Sequence, residues 1–230
     1  MTAEQAVAVV SQAVERVFAT VSRVRRLVQA IHRAATERGD VLHEVDIDRL
    51  RPALLELLDE NPTAIGLGVI FAPGLLPERG LEWWQSAPDL PSPSRLEVDL
   101  RVDSLGFYDY AAAEWFVLPQ QTGMRHVAGP YVDVHGTDRY LLTFTEPIVA
   151  DGTFLGVAGA DVPVARFETL VLQGLADMPM DMVVIGEEGR VVLSTWSRWL
   201  TGELLAADAT PDRLPLPGLT WQLAVTESGH

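Results

Sequence analysis

Aromatic and acidic side chains are concentrated between Phe107 and Asp161, in the stretch that begins FYDYAAAEWFVL and ends GTFLGVAGAD. The order of residue types predicts an aromatic-rich helix, then a loop with a Gly-Pro-Tyr turn, then a two-stranded hairpin. Aromatic faces attract cations by roughly 0.5–2 kcal/mol per contact, and a buried carboxylate requires a partner for its charge. We therefore predict a small-molecule pocket in which Asp161 binds the charged group of the ligand.

A purely structural role for these residues is the alternative. Asp161 comes shortly before Val164, where a carboxylate can cap the following helix. The aromatic side chains can also fill a hydrophobic core, which is the usual place for large rings. The two hypotheses differ in whether the carboxylate and the rings face a shared cavity.

The rest of the sequence carries no motif for catalysis or for a metal centre. The five histidines lack the i, i+4 spacing of a zinc site, and the chain has no cysteine. Neither a nucleophile elbow nor a phosphate-binding glycine loop is present. Asp133 and Glu146 lie near the predicted pocket and leave an acid–base pair, and hence an enzyme, as the alternative. We expect a binding domain with no cofactor and no metal, rather than an enzyme.

The net charge of −15 excludes two classes of partner. Nucleic-acid-binding domains need clustered basic residues to neutralise phosphates, and anionic membrane surfaces attract the same kind of patch. No apolar run approaches the ~20 residues that a membrane-spanning helix requires. We therefore expect neither nucleic acid nor a membrane span.

One long helix is predicted for residues 3–38, because neither proline nor glycine occurs there. Its apolar positions repeat at the 3–4 spacing of a coiled-coil seam, at Val7, Val10, Val14, Val17, Val21, Val24, Val28 and Ile31. This seam predicts either a homodimer through the helix or a helix that lies on its own domain. A second helix is predicted over roughly residues 47–60, capped by Asp46 or Asp48.

Beyond residue 60 the pattern changes to short apolar strands separated by turns. Strands are predicted at residues 63–72, 81–85, 139–149, 153–162, 182–185, 190–194 and 219–226. Helices are predicted within 104–119, ending at Pro119, and over 164–175. This order of elements predicts an α+β fold in which helices pack on an antiparallel sheet.

The order and spacing of EWF, GPYVD, EPI and LGVAGAD resemble those of the Cache family of extracytoplasmic sensor domains. The resemblance covers roughly residues 60–170 and implies a PAS-like fold, with a long N-terminal helix on a central antiparallel sheet. It divides the chain into N-terminal helices for signalling or dimerisation (1–60), a ligand-binding core (61–176) and an extra three-stranded portion (177–230) that completes or extends the sheet. The location is then cytoplasmic if the chain is complete and extracytoplasmic if it is the sensor region of a longer receptor.

The resemblance also implies the kind of ligand. Amino-acid-binding Cache domains carry a Tyr, an Arg-x-Trp-Tyr helix, a Tyr in the Pro-Tyr turn and a final Asp, and their Arg holds the carboxylate of the ligand. Here Ala113 stands in place of that Arg, and Phe116 in place of the second Tyr. Because the carboxylate clamp is missing, the resemblance implies a cationic amine such as a choline-like compound, a monoamine or a diamine. An amino acid or another small carboxylate is the alternative.

The predicted ligand-binding residues combine this family pattern with two additions, a Trp from the second strand and a possible second anion. They are Trp84, Tyr108, Glu114, Trp115, Phe116, Tyr131 and Asp161. Glu82 and His126 are weaker candidates.

Overall fold

The computed structural model describes residues 2–77, 79–86, 92–101, 103–133, 139–175, 180–206, 209 and 212–227. Five α-helices are found in this part of the chain: α1 Ala3–Glu37, α2 Glu44–Ile47, α3 Leu50–Glu60, α4 Glu114–Thr122 and α5 Val164–Leu175. The strands are β1 Gly66–Phe71, β2 Leu81–Gln85, β3 Ser94–Arg95, β4 His126–Val132, β5 Tyr140–Ala150, β6 Thr153–Pro163, β7 Met180–Ile185, β8 Val191–Ser194, β9 Arg213–Pro215 and β10 Gln222–Glu227.

The described strands form two antiparallel sheets. The first has six strands in the order β3-β2-β1-β6-β5-β4, and the long helix α1 packs against it. The predicted α+β fold, a long N-terminal helix on a central antiparallel sheet, is confirmed. The predicted role of the C-terminal strands is wrong, because they do not extend the first sheet. They form a separate four-stranded sheet in the order β8-β7-β10-β9.

The long helix α1 uses its apolar face within its own chain. It begins at a capping box on Thr2, and Gly39 follows its end in a left-handed conformation at φ +74°. The valines of the predicted seam that are buried against the sheet and α5 are Val10, Val14, Val17, Val21, Val24 and Val28. These valines therefore pack within the chain, as the alternative of a helix that lies on its own domain predicts, and a homodimer through the helix stays a prediction.

The helix α4 does not end at Pro119, as the sequence predicted, but contains it. A proline inside a helix leaves the carbonyl four residues earlier without its hydrogen bond. That carbonyl belongs to Trp115, and it accepts a hydrogen bond from Thr145 Oγ1 on β5 at 2.8 Å. Thr145 on β5 thus gives the free carbonyl a hydrogen-bond donor and holds α4 against the sheet. Gly123, in a left-handed conformation at φ +68°, ends the helix.

The six-stranded sheet separates two hydrophobic clusters. The larger one lies between the sheet and α1, α3 and α5, and includes Phe144, Phe167 and Leu67. The smaller one covers the opposite face, where Trp115 and Phe116 of α4 pack against strand residues that include Ile70, Trp83 and Val157. Side chains alternate between the two faces along each strand. This alternation determines which strand residues can reach the predicted pocket.

Candidate functional site

The carboxylate of Asp161 lies on the α4 side of the sheet, near the end of β6. Its neighbours across the sheet are Gly66 on β1 and Thr143 on β5. Gly66 has no side chain, and Asp161 is only 8% exposed. The strand pairing therefore places an acidic group inside the smaller hydrophobic cluster, where charge is poorly solvated.

A short chain of hydroxyl groups orients the carboxylate. Thr143 Oγ1 donates a hydrogen bond to Asp161 Oδ1 at 2.7 Å. Because Thr143 uses its proton in that bond, its oxygen accepts from the hydroxyl of Tyr131, which lies 2.8 Å away. Among the described residues, no basic side chain forms an ion pair with Asp161.

Burial raises the pKa of Asp161 to about 7. The hydrogen bond from Thr143 opposes this rise, and the negative charge of Asp133 adds to it. A carboxyl group whose pKa lies this far above its usual value is typical of a functional site, because its ionised form lacks compensation in the folded protein. A bound cation would supply that compensation.

Trp83 places an indole N–H beside the same carboxylate. Its Nε1 is buried and has no acceptor among the described residues. A Cβ built on Gly66 would lie 2.7 Å from Trp83 Nε1 and 3.0 Å from Asp161 Oδ2. The absence of a side chain at Gly66 therefore gives both groups room. The site therefore combines a buried carboxylate, from Asp161, with a buried hydrogen-bond donor, from Trp83.

Aromatic rings line a cavity of about 310 Å³ beside this site. Its lining includes Tyr108, Trp115, Tyr131, Ala113 and Asp133. Neither Asp161 nor Trp83 is among its lining residues, and Asp161 is linked to the cavity through the hydroxyl groups of Thr143 and Tyr131. Burial raises the pKa values of both tyrosines, and the charges of Asp161 and Asp133 raise them further. Both phenols therefore stay protonated at neutral pH, so each has an O–H and a ring face to offer. A second, larger cavity of about 650 Å³ shares Ala113, Trp115 and Tyr131.

Phe116 packs behind the aromatic residues that line the two cavities. It is buried, and its ring packs edge-on against Tyr110 and Trp115, with centroids 5.4 and 6.3 Å apart. Neither cavity lining includes it. The structure therefore gives Phe116 a packing role and does not place it in contact with the cavities.

The inclusion of Trp84 in the predicted site is wrong. Trp84 packs in the larger cluster on the α1 side of the sheet, and its Nε1 donates to Glu82 Oε1 at 2.8 Å. Arg51 of α3 stacks on its ring at 4.9 Å. Alternation along β2 separates Trp83 from this pair, but the sequence does not show which face carries the pocket. Trp83, which the prediction omitted, is the tryptophan beside Asp161.

Glu114 faces the larger cavity and pairs with a buried histidine. Its Oε1 lies 2.8 Å from His126 Nε2, and both residues lie next to elements of the wall, at the start of α4 and of β4. The GPY segment, predicted as a loop, is part of β4, which shifts register between Ala128 and Tyr131. The change of register therefore comes directly before Tyr131, which lines both cavities.

The strand β5 connects the site to the long helix. Thr143 and Thr145 face the site, whereas Glu146 faces α1. Glu146 accepts hydrogen bonds from Ser22 at 2.8 and 2.9 Å and forms an ion pair with Arg25 at 3.0 Å. The structure does not support the alternative of an acid–base pair between Asp133 and Glu146, because Glu146 lies on the opposite face of the sheet from Asp161.

A family profile matches about half of the chain. The profile is described as the methyl-accepting chemotaxis protein-like first PDC sensor domain, and it matches residues 50–169. These residues include β1, α4, β5 and β6, and therefore every residue of the wall around Asp161. Within the described residues, no helix is both long and apolar enough to cross a membrane.

Three individual proteins are similar to this chain, one in sequence and two in fold. The chain is 31% identical over 137 residues to the methyl-accepting chemotaxis protein TlpQ of Pseudomonas aeruginosa, with 51% of this chain aligned. It spans only 19% of the length of TlpQ. A solved structure of methyl-accepting chemotaxis protein X is 14% identical, with a TM-score of 0.67. The superposition includes 94% of this chain and 90% of that structure. The ligand-binding domain of the Pseudomonas aeruginosa amino acid chemoreceptor PctB, in complex with L-Arg, is 15% identical, with a TM-score of 0.60 and coverages of 96% and 83%. At these identities, the two structures show a shared fold.

Proposed function

The chain belongs to the family of methyl-accepting chemotaxis protein-like first PDC sensor domains, which are Cache domains, and from this premise we propose that it senses a small cationic amine. Choline-like compounds, monoamines and diamines are the proposed class. We also propose that the chain is the extracytoplasmic sensory region of a longer receptor, which is supported by the small share of TlpQ that it spans.

The observation that carries the amine proposal is the buried carboxylate of Asp161, which has no basic partner among the described residues. An ammonium group supplies the missing positive charge, and a charge-assisted hydrogen bond of this kind contributes about 1.5–3 kcal/mol. The rings of Tyr108, Trp115 and Tyr131 add faces on which a cation is attracted. The free N–H of Trp83 would orient a polar acceptor elsewhere on the ligand.

An amino acid is the second candidate, and two observations favour it. The related domain of PctB binds L-Arg, and the larger cavity contains Arg190, a cation that could hold a carboxylate. Arg190 already donates to the carbonyl of Gly202 at 2.8 Å, which holds its guanidinium at the turn between β8 and β9. Ala113, where the family pattern has arginine, offers no such group. The amine half of an amino acid would still use Asp161.

A thermal-shift panel separates the two candidates. The panel contains choline, monoamines and diamines in one arm, and L-amino acids and dicarboxylates in the other. A ligand at 100 times its Kd adds about 2.7 kcal/mol of stability, or about 5–10 °C in Tm for a chain of this size. We expect shifts of this size from amines. Shifts from amino acids alone would support the second candidate and overturn the first.

The affinity for an amine is expected to fall as the pH drops through 7. The pKa of Asp161 is about 7 in the ligand-free protein, so at lower pH the amine must displace a proton to meet a carboxylate. The Kd should therefore rise about tenfold between pH 8 and pH 6, with a proton released on binding. Calorimetry in buffers of different ionisation enthalpy measures both quantities. Choline is the control ligand, since its charge is independent of pH, and a flat profile for it would contradict the assignment of Asp161.

A further inference from the structure

We propose that Glu114, His126 and Glu187 form a binding site for a divalent transition-metal cation, and that zinc is the appropriate probe. One carboxylate oxygen from each glutamate and one ring nitrogen of His126 all lie within 4.8 Å of one another. The residues come from three separate elements: the start of α4, the start of β4, and the turn after β7. Only the fold brings them together.

The spacing of the three groups suits a metal ion. Ligand atoms about 2.1 Å from a tetrahedral zinc ion are about 3.4 Å apart. The distance from His126 Nε2 to Glu114 Oε1 is 2.8 Å, and the other distances are at most 4.8 Å. Both glutamates are exposed, so rotation of their side chains can reach the required spacing. Imidazole combined with carboxylates is a donor set that zinc and neighbouring transition metals accept.

Burial holds one of the ligands in position. His126 is only 7% exposed, and its Nε2 points toward the glutamates. Glu187 Oε2 accepts a long hydrogen bond of 3.4 Å from the hydroxyl of Thr220, between exposed side chains. Arg190 also lines the neighbouring cavity, but its guanidinium donates to the carbonyl of Gly202.

The cavity beside the cluster leaves room for the remaining ligands. Glu114 and Glu187 both line the larger cavity of about 650 Å³, so water can complete the coordination of an ion held by three protein groups. A cation there would join the two sheets, because Glu114 and His126 belong to the six-stranded sheet and its helix, whereas Glu187 belongs to the other sheet. The site would lie next to Trp115, in the wall of the amine pocket.

Calorimetric titration of the tag-free chain with zinc sulfate alone, at slightly alkaline pH, tests the proposal. We expect one saturable site and a higher Tm in the presence of zinc. Loss of an outer partner of a metal ligand weakens binding about 10–100-fold, so Glu187→Gln and Glu114→Gln, which each remove a ligand, should weaken it at least tenfold. Both positions are exposed, and we expect both variants to fold.

The matched control is Glu56→Gln, an exposed glutamate on α3, which should leave zinc binding unchanged. The proposal fails if zinc does not saturate, or if both site variants bind zinc as tightly as the unaltered chain. It also fails if Mg²⁺ competes as well as zinc, because His126 would then contribute nothing. The first outcome would leave His126 and Glu114 as a hydrogen-bonded pair without a metal. Amine binding measured with a chelator present tests the proposed function separately.

Discussion

Replacing Asp161 with asparagine is expected to weaken amine binding strongly and to stabilise the ligand-free domain above pH 7. The amide keeps the shape of the carboxylate and can still accept the hydrogen bond from Thr143. It removes the negative charge that the amine requires, which should weaken binding by about 10–100-fold or more. It also removes the need to bury a carboxylate without a cation.

The stabilising effect depends on pH in a defined direction. The pKa of Asp161 is raised from 3.8 in the unfolded chain to about 7 in the folded domain. The folded state therefore holds its proton more tightly, and stability declines as the pH rises from about 4 to about 7. Each pH unit between the two pKa values is worth about 1.4 kcal/mol, which sets an upper limit of about 4 kcal/mol. The Asn variant lacks this decline. Its free energy of unfolding should therefore exceed that of the unaltered chain at pH 8 and differ little from it at pH 4.

Urea unfolding at pH 4 and pH 8 measures the stability, and calorimetry measures the amine affinity. Asp59→Asn is the matched control, since Asp59 is exposed on α3, and it should change neither quantity. An Asp161→Asn variant that binds amines with unchanged affinity would show that the site is elsewhere. A variant that is less stable at pH 8 would show that the carboxylate has a favourable partner in the free protein. The two readouts therefore test the binding role and the burial of charge independently.

Local patterns in the sequence were sufficient for much of the fold. The valine repeat predicts α1, strand patterns bounded by turn residues predict β2, β5 and β6, and an amphipathic pattern predicts α5, each to within a residue or two. Pro119 misled the prediction of α4, because a hydrogen bond from Thr145 on another strand satisfies the carbonyl that proline leaves free. The separate C-terminal sheet and the short strands β3 and β9 depend on long-range pairing that has no strong local signal.

The site shows the same division between local and tertiary information. The spacing of Tyr108, Trp115, Tyr131 and Asp161 was readable because they match a family pattern. The choice between Trp83 and Trp84 was not, since alternation defines two faces of a strand without stating which one lies against α4. Glu187 could not be associated with Glu114 and His126 at all, because the second sheet brings it there across a long stretch of sequence.

Ala113→Arg is expected to change the preferred ligand from an amine to an amino acid. Ala113 is half-buried, lines both cavities, and lies in an extended conformation (φ −71°, ψ 140°) that an arginine adopts without strain. An arginine there would bring a guanidinium into the cavity wall, in the position that the family pattern assigns to the carboxylate clamp. A charge-assisted pair with a carboxylate contributes about 1.5–3 kcal/mol, or about 10–150-fold in Kd.

The same substitution should weaken amine binding, because a second cation in the wall repels the ligand and competes for Asp133. A cation at the start of α4 also opposes the helix dipole by about 0.3–1 kcal/mol, which predicts a slightly lower Tm. Ala165→Arg adds the same charge at an exposed position of α5 and is the matched control. Titration of all three proteins with one amine and one L-amino acid measures the change. If the two substitutions changed ligand affinity equally, the change in net charge would explain the effect, and the position of the arginine would not matter. A gain of amino-acid affinity confined to Ala113→Arg would show that this single position selects between the two ligand classes.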